Sequence, residues 1–263
     1  KSQAKVKYTG VPILFHEKMQ FLQTEVKRKI LAVAPQSKDA DPMVEIKGGC
    51  FLMGANKGHP DELPIHEVCV ASFKMDKYEV KQSAFQARMG SNPARFVGAD
   101  LPVDSATWDE ALEYCQKSGK RLPTEAEWEY AVRAGSKAEY YTGDTLTGKD
   151  GNFCDSACNY NLRDPKASDG FKFTAPVGSF PPNPFGLYDM AGNLSEWVAD
   201  WLLENYYQLS PKDNPKGPED GDSKVFRGGA WNGTTEMLRS AKRMAFWPGY
   251  RYEEIGFRCA ADR

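Results

Sequence analysis

The sequence predicts an α+β fold that is mostly irregular, with short strands, a few helices and long loops. Two features of the composition support this prediction: the chain contains 23 Gly and 17 Pro among 263 residues, and 12% of its side chains are aromatic. In addition, segments with helical spacing are few and short, while most of the chain beyond residue 134 has no regular period. Such a turn-rich, aromatic-rich chain suits an irregular α+β domain better than a helical bundle.

Length and charge exclude several classes of protein. A chain of 263 residues is long enough to bury a core without metals or disulfides. Its formal net charge is −2, so we expect no nucleic-acid partner. No apolar run approaches the roughly 18 residues of a membrane-spanning helix, so we expect a chain that does not span a membrane but could attach to a membrane complex. With only three histidines, histidine-rich metal chemistry is nearly excluded.

Residues 1–42 are predicted to form a basic N-terminal helical arm. Residues 1–40 carry eight Lys or Arg against three Asp or Glu, a net charge of +5. Apolar residues recur there at spacings of three and four, which indicates one face of a helix; they are Phe15, Met19, Leu22, Val26, Ile30 and Val33. This face either packs on the chain's own domain or docks on a protein partner. The charge, the terminal position and the polar stretch 35–42 favour the partner.

From residue 43 to 263 the chain is predicted to form one domain that begins with two strands. Residues 43–53 and 65–73 have strand-like patterns, and the polar segment 54–64 is predicted to join them as a turn. These strands would pair as neighbours in a hairpin.

Two helices are predicted from capping boxes, in which a hydroxyl side chain precedes a Glu by three residues. Thr107 and Glu110 begin the first, which Gly119 can end; Thr124 and Glu127 begin the second, with Gly135 as its predicted end. The loop-rich region that follows is long for a compact domain, and loops of that length are usually functional or tied down.

Six cysteines are compatible with three disulfides, which implies an oxidising compartment. Cys50 and Cys69 lie on the two predicted strands and could bridge them, and Cys154 and Cys158 are close in the loop-rich region. The alternatives are six thiols in a cytosolic protein or, for the last pair, half of a zinc site. The chain opens at Lys1 without Met, as a processed mature protein would, so we expect a periplasmic or secreted protein whose signal peptide has been removed.

Four blocks of the sequence resemble a known family. They are GGCFLMG at 48–54, GKRLPTEAEWEYAVRAG at 119–135, TAPVGSFPPNPFGLYDMAGNLSEW at 174–197, and RGGAW at 227–231 leading to IGFRCA at 255–260. In this order they resemble the sulfatase-modifying-factor family, typified by formylglycine-generating enzyme. The resemblance covers residues 43–262. It implies the formylglycine-generating-enzyme fold, a single irregular domain related to C-type lectins, and a disulfide between Cys115 and Cys259.

The family's oxidase chemistry is not expected in this chain. Formylglycine-generating enzymes bind copper with two cysteines, five residues apart, shortly after the RGG motif. Here Gly233 and either Thr235 or Leu238 stand at those positions, and no Cys occurs between Arg227 and Cys259. These side chains cannot replace thiolates at a Cu(I) site, so we expect no copper. The related sulfoxide synthases bind iron through three histidines that an extra N-terminal helical domain largely supplies. His16 alone cannot build that site, so we expect no iron.

Calcium is the cofactor that the resemblance implies, because the family's sites use carboxylates, amides and backbone carbonyls, which suit a hard cation. One site maps onto Asp189, Gly192, Leu194 and Glu196. A second maps onto Asn159, Tyr160, Asp169 and Phe171, with Asn161 as an alternative to Asn159. The other interpretation of Asp189 and Glu196 is that they only cap turns.

The last segment of the chain resembles the one that lines the active-site groove in relatives. Its candidate groove residues are Trp231, Asn232, Arg239, Arg243 and Trp247, accompanied by Glu236, Phe246, Tyr250 and Arg251. Aromatic and Arg side chains supply much of the binding energy at recognition surfaces. The alternative is that Trp231 and Trp247 fill the core.

These observations favour a non-catalytic, calcium-stabilised member of the family that serves as a binding or accessory subunit of a larger complex. One alternative is an enzyme of altered chemistry in the same groove, such as oxidative tailoring of a peptide or small molecule. Another is a variable-loop ligand-binding module. No nucleophile–base pair has a recognisable spacing in the sequence, so no catalytic residue is assigned.

Overall fold

The computed structural model describes residues 42–263, so the predicted arm lies outside the described residues. Within the described range, none of the helices is both long enough and apolar enough to cross a membrane. That range contains nine short strands in three sheets and three α-helices, separated by long loops. The expected irregular α+β architecture is confirmed.

The strands and helices of residues 42–263 are all short. The strands are β1 (Met43–Ile46), β2 (Gly49–Met53), β3 (His66–Val70), β4 (Phe73–Asp76), β5 (Ser195–Trp201), β6 (Lys224–Arg227), β7 (Met244–Phe246), β8 (Ile255–Gly256) and β9 (Ala260–Asp262). The α-helices are α1 (Gln82–Met89), α2 (Trp108–Lys117) and α3 (Glu125–Arg133), and single 3-10 turns lie at Pro60–Glu62, Tyr206–Gln208 and Thr235–Leu238. The sheets have the strand orders β1-β4-β9, β2-β3 and β7-β6-β5-β8, and only the β5–β8 pair is parallel.

Each of the two predicted strands is two strands in the structure. β1 and β2 belong to different sheets, as do β3 and β4, so a break follows Ile46 and another follows Val70. At the first break the backbone passes close to its neighbour: a Cβ at Gly48 would lie 2.4 Å from the carbonyl oxygen of Val70. A glycine at such a close approach interrupts a strand pattern.

Both predicted helices are confirmed, with their capping boxes. Thr107 accepts a hydrogen bond from the Glu110 backbone N–H, and the Glu110 carboxylate accepts one from Thr107 N–H. Thr124 and Glu127 form the same pair at the start of α3. Capping of this kind stabilises each helix by about 1 kcal/mol. Because the capping residues lie within the first turn, the start of each helix could be predicted from the local sequence.

All six cysteines form the three expected disulfides, and none is free. Cys50 and Cys69 are directly opposite each other on β2 and β3. The bridge from Cys115 to Cys259 ties α2 to the segment before β9, and a third links Cys154 to Cys158 in the long loop. A set of three bridges is typical of an oxidising compartment.

A buried carboxyl connects β5 to the start of α3. Asp200 is 3% exposed, and its carboxyl accepts a hydrogen bond of 2.8 Å from the Glu125 backbone N–H. Burial, together with repulsion from the Glu125 carboxylate, raises the pKa of Asp200 to about 8. The folded protein therefore holds a proton here that the unfolded chain releases near an ordinary Asp pKa of about 3.9.

We expect Asp200→Asn to change how stability depends on pH. Because the folded pKa is raised, the contribution of Asp200 to stability is complete below about pH 4 and is lost as the pH rises towards 8. Urea unfolding should show the wild-type stability, relative to the variant, falling by up to about 1.4 kcal/mol per pH unit in that window. The control Glu204→Gln, at an exposed site, should keep the wild-type pH dependence. If the difference in unfolding free energy between the wild type and Asp200→Asn is the same at every pH, the prediction is wrong.

Candidate functional site

The candidate site is a cleft formed around residues 230–233, the segment that follows β6. A cavity of about 260 Å³, which we call the Asn232 cavity, lies among this segment, Phe226, Phe246 and residues 252–255. A second of about 230 Å³, which we call the Trp231 cavity, lies between Trp231, Glu253 and loops from three other parts of the chain. These loops contribute Arg95, Phe96, Asn159, Tyr160, Lys172 and Phe173. The two cavities are therefore bordered by consecutive residues of one segment.

Trp231 is both a core residue and a cavity wall. It is 3% exposed, and its ring centroid lies 5.5 Å from that of Phe96 and 5.2 Å from that of Phe173. The indole N–H donates a hydrogen bond of 3.2 Å to the Glu253 carbonyl. The two interpretations of Trp231 from sequence are thus compatible, because burial of most of the ring leaves part of it to line the Trp231 cavity.

The Asn232 cavity has mostly apolar walls with a few polar groups. Met237, Met244, Phe246 and Tyr252 line it, and the rings of Phe246 and Tyr252 lie 4.9 Å apart at 87°. Polar groups come from Ser195, Asn232 and Glu254. Burial, and to a lesser extent Glu253, raises the pKa of Glu254. This combination of apolar walls with a few polar groups is typical of a ligand pocket.

Two of the predicted groove residues do not face the cleft. Arg239 is 1% exposed, and two hydrogen bonds of 2.8 Å join its guanidinium to Glu62. Arg243 is 2% exposed and pairs with Glu125 through bonds of 2.7 and 2.9 Å. Neither residue lines the Asn232 or the Trp231 cavity; Arg239 instead borders a separate cavity of about 790 Å³. Trp247 is 60% exposed and lies beside the Phe246 wall.

The cleft has no thiol where the resemblance places the copper ligands. Gly233 lines the Asn232 cavity, whereas Leu238 is 2% exposed and packs against Tyr140 and Phe153. Every cysteine of the chain is in a disulfide. A glycine and a buried aliphatic side chain offer no ligand to a metal at this position.

The first predicted calcium position contains a crowded group of buried carboxyls. Asp189 accepts backbone hydrogen bonds from Gly178 and Phe180, and Glu196 pairs with Arg258 at 2.7–2.9 Å. Glu79, which sequence reasoning missed, accepts a bond of 2.9 Å from Leu194 N–H. Sequence gave no signal for Glu79, because it lies more than 100 residues before the other two.

The carboxyls at this position shift one another's pKa values. Burial raises the pKa of Asp189 to about 6. Burial and repulsion from Asp189 and Glu196 raise the pKa of Glu79 well above its ordinary value. Arg258 hydrogen-bonds to Glu196 and also lowers the pKa of Asp189 and of Glu79, so one guanidinium faces three carboxyls. Within residues 42–263, however, His, Cys, Asp and Glu side chains form no metal-binding group of three or more, so backbone oxygens such as those of Gly192 and Leu194 would have to complete the coordination.

The residues of the second predicted position do not all lie together. Asp169 accepts hydrogen bonds from Phe153 N–H at 3.0 Å and Phe171 N–H at 2.8 Å, while its own N–H donates to Asp155. Asn159 and Tyr160 are instead exposed beside the Trp231 cavity. Asp155, rather than Asn159 or Tyr160, is therefore the side chain that hydrogen-bonds to Asp169.

The Cys154–Cys158 bridge lies between Asn152 and the exposed residues Asn159 and Tyr160. The disulfide closes a loop with a sequence separation of 4, and the residues that follow it are at the surface. Asn152 itself is 1% exposed and donates hydrogen bonds to Phe173 O and Asn193 Oδ1. Burial raises the pKa of Asp169 to about 6, with Asp155 adding to the rise.

Comparison with known proteins adds relatives of named activity. Residues 29–263 match the family described as sulfatase-modifying factor enzyme 1-like domain, so the match begins inside the predicted arm. The chain is 41% identical to the formylglycine-generating enzyme of Streptomyces coelicolor, over 87% of this chain and 92% of that one. It is 30% identical to the inactive C-alpha-formylglycine-generating enzyme 2 of Bos taurus, over 83% and 87%.

The chain is also 36% identical to serine/threonine-protein kinase pkn1 of Chlamydia caviae, over 83% of this chain but 37% of the kinase. It therefore spans well under half the length of that relative. Among solved structures, PvdO from Pseudomonas aeruginosa aligns with a TM-score of 0.73 and 32% identity, over 86% of this chain and 96% of PvdO. Treponema denticola variable protein 1 aligns with a TM-score of 0.73 and 26% identity, over 84% and 95%. The expected fold is confirmed by these alignments.

Proposed function

Since the chain belongs to the sulfatase-modifying factor family, we propose that it is a non-catalytic member that uses the family's cleft for binding. The observation that supports this most is that Gly233 and either Thr235 or Leu238 stand where the resemblance leads one to expect the two copper-binding thiols. Oxidation of a cysteine by oxygen needs a redox-active centre, and neither residue can supply one. The family contains at least one relative whose name marks it as inactive.

The cleft retains the properties of a binding site. The Asn232 and Trp231 cavities combine aromatic walls with a small number of polar groups, which is the usual composition of a ligand pocket. Around them several large apolar side chains are exposed: Val97, Tyr160, Leu162, Phe173, Met237, Phe246, Trp247 and Tyr250. A concentration of exposed apolar groups marks an interaction surface. We therefore propose that the domain binds a partner or ligand here as a subunit of a larger complex.

The test is to incubate the folded protein with a copper salt, a reductant and a cysteine-containing sulfatase-type peptide. We expect mass spectrometry to find the peptide cysteine unmodified. The formylglycine-generating enzyme of Streptomyces coelicolor is the matched positive control, because it aligns with most of this chain. Conversion of the peptide cysteine to formylglycine by this protein would overturn the proposal.

Calcium is proposed as a stabilising ion at the carboxyl group of Asp189, Glu196 and Glu79. The support is electrostatic: three buried carboxyls share one guanidinium, and the pKa values of Asp189 and Glu79 are raised. Ligands would be the Asp189 and Glu196 carboxylates with the Gly192 and Leu194 carbonyls. Oxygen donors of this kind suit Ca²⁺. The region around Asp169 and Asp155 is proposed as the second position.

We expect calcium to raise the melting temperature, because an ion that binds only the folded state stabilises it by mass action. At a concentration of about 100 times Kd the gain would be about 2.7 kcal/mol, or about 5–10 °C for a domain of this size. Asp189→Asn and Glu196→Gln should each lose this rise, measured as the difference between excess calcium and chelator. Glu204→Gln, at an exposed site, should keep it. If the wild-type protein has the same melting temperature in excess calcium and in chelator, the assignment is wrong.

The compartment and the partner-binding arm are further parts of the proposal. Three disulfides support a periplasmic or secreted location. The net charge of +5 and the apolar stripe of residues 15–33 support docking of the arm on an acidic, partly apolar surface of a protein partner. We propose that the arm and the cleft both serve assembly rather than catalysis.

A further inference from the structure

We propose that the Asn232 cavity binds a neutral aromatic group that carries a hydrogen-bonding atom, such as a phenol or an indole. This inference rests on the proposed function, since it assigns a ligand class to the same cleft. The cavity has about 260 Å³, just under the usual range of about 300–1,000 Å³ for drug-sized ligands. It therefore suits one ring system projecting from a ligand rather than a whole large molecule.

The walls of the cavity favour an aromatic ring. Phe246 and Tyr252 meet at 87° with centroids 4.9 Å apart, so an inserted ring can face one of them and meet the edge of the other. Met237 and Met244 add two thioethers to the lining. Thioether sulfur makes favourable contacts with aromatic rings, and the flexible Met side chain adapts to the shape of its neighbour.

Two polar side chains in the wall lack partners of their own. Ser195 is 2% exposed, and within residues 42–263 neither its hydroxyl nor the Asn232 amide has a hydrogen-bond partner, although both line the cavity. Neither side chain is among the buried polar atoms that lack a partner in the described residues, so both stay accessible to a molecule in the cavity. A ligand atom that donates to or accepts from these groups would replace water there, which is why a bare hydrocarbon ring is not the ligand we propose.

The charges around the cavity argue against an ionic ligand. Among residues 42–263, no Lys or Arg side chain lines the cavity, so an anion would find no counter-charge. Glu254 is the one carboxyl in the described lining, and its raised pKa weakens its attraction for a cation. Transfer of an unpaired charge from water into a cavity with apolar walls is costly. A neutral ligand group is therefore favoured.

The test measures binding of small probes to the wild-type protein by isothermal titration calorimetry. Indole and p-cresol should bind, whereas benzoate and benzylamine should bind at least about tenfold more weakly. Asn232→Leu should weaken indole binding about fivefold or more, the equivalent of one lost hydrogen bond of about 1 kcal/mol. Asn56→Leu is the matched control, because Asn56 lines a different and larger cavity.

A second variant fills the cavity instead of changing its polarity. Gly233 lines the Asn232 cavity, and a Cβ there would lie 3.3 Å from Met237 Sδ, so Gly233→Leu should abolish indole binding. Its melting curve, with and without calcium, checks that the variant is folded. If the variant fails to fold, the Asn232→Leu comparison still decides the matter.

Three results would overturn the inference: no binding of indole or p-cresol, tighter binding of benzylamine than of indole, or loss of binding in Asn56→Leu but not in Asn232→Leu. Failure of the proposed function is distinguishable from these. Formylglycine production would refute the non-catalytic role, whatever affinities are measured for the probes. Absent probe binding, with no formylglycine formed, would refute only the ligand class.

Discussion

Replacing Glu125 by Ala is expected to destabilise the protein by about 3–5 kcal/mol, the usual cost of removing one partner from a buried ion pair. Glu125 is 2% exposed, and its carboxylate accepts from Arg227 at 2.9 Å and from Arg243 at 2.7 and 2.9 Å. Both guanidiniums are buried, so the substitution leaves positive charge in the core with too few acceptors. Urea unfolding at neutral pH measures the loss.

The control is a Glu in an exposed ion pair. Glu113 pairs with Lys117 on the surface of α2, so Glu113→Ala should cost no more than about 0.5 kcal/mol. If Glu125→Ala and Glu113→Ala destabilise the protein equally, the ion-pair network around Arg227 and Arg243 does not hold α3 to the rest of the core.

Removing the Cys115–Cys259 disulfide is expected to cost about 5 kcal/mol. The bridge spans 144 residues, and in the chain-entropy treatment the constraint on the unfolded state grows with the length of the closed loop. Both residues are fully buried, so Cys115→Ala with Cys259→Ala also leaves a small cavity. Unfolding in urea without reductant compares the double variant with wild type.

The control for loop length is the Cys154–Cys158 bridge, which spans only 4 residues. Replacing both of its cysteines by Ala should cost about 2 kcal/mol in the same treatment. Equal losses for the two pairs would show that the length of the closed loop does not set the stabilisation here.

Features encoded locally could be predicted from the sequence. The capping residues at Thr107 and Thr124 predicted where α2 and α3 begin, because a cap acts within one helical turn. By contrast, α1 begins at a residue with no side-chain cap, and Phe85 is its one fully buried apolar side chain. Its sequence therefore carries no helical stripe, and its position depends on contacts elsewhere.

Features that depend on distant parts of the chain could not be predicted. β5 contains the buried carboxyls of Glu196 and Asp200, which accept hydrogen bonds from Arg258 and from the first residue of α3, so its pattern resembles a polar loop. Arg239 and Arg243 were predicted to line the groove from their residue type and from the resemblance of their segment to the family's groove. Their partners, Glu62 and Glu125, lie 177 and 118 residues away, a separation that a single sequence does not bridge.

The central claim is that the cleft binds without the family's copper chemistry, and copper retention tests it most directly. The folded protein should be loaded with excess Cu(I) under reducing conditions, passed through a desalting column and analysed for metal per chain. Because Gly233 and Leu238 replace the thiols and all six cysteines are in disulfides, we predict far less than one copper per chain. One tightly held Cu(I) per folded chain would contradict the account.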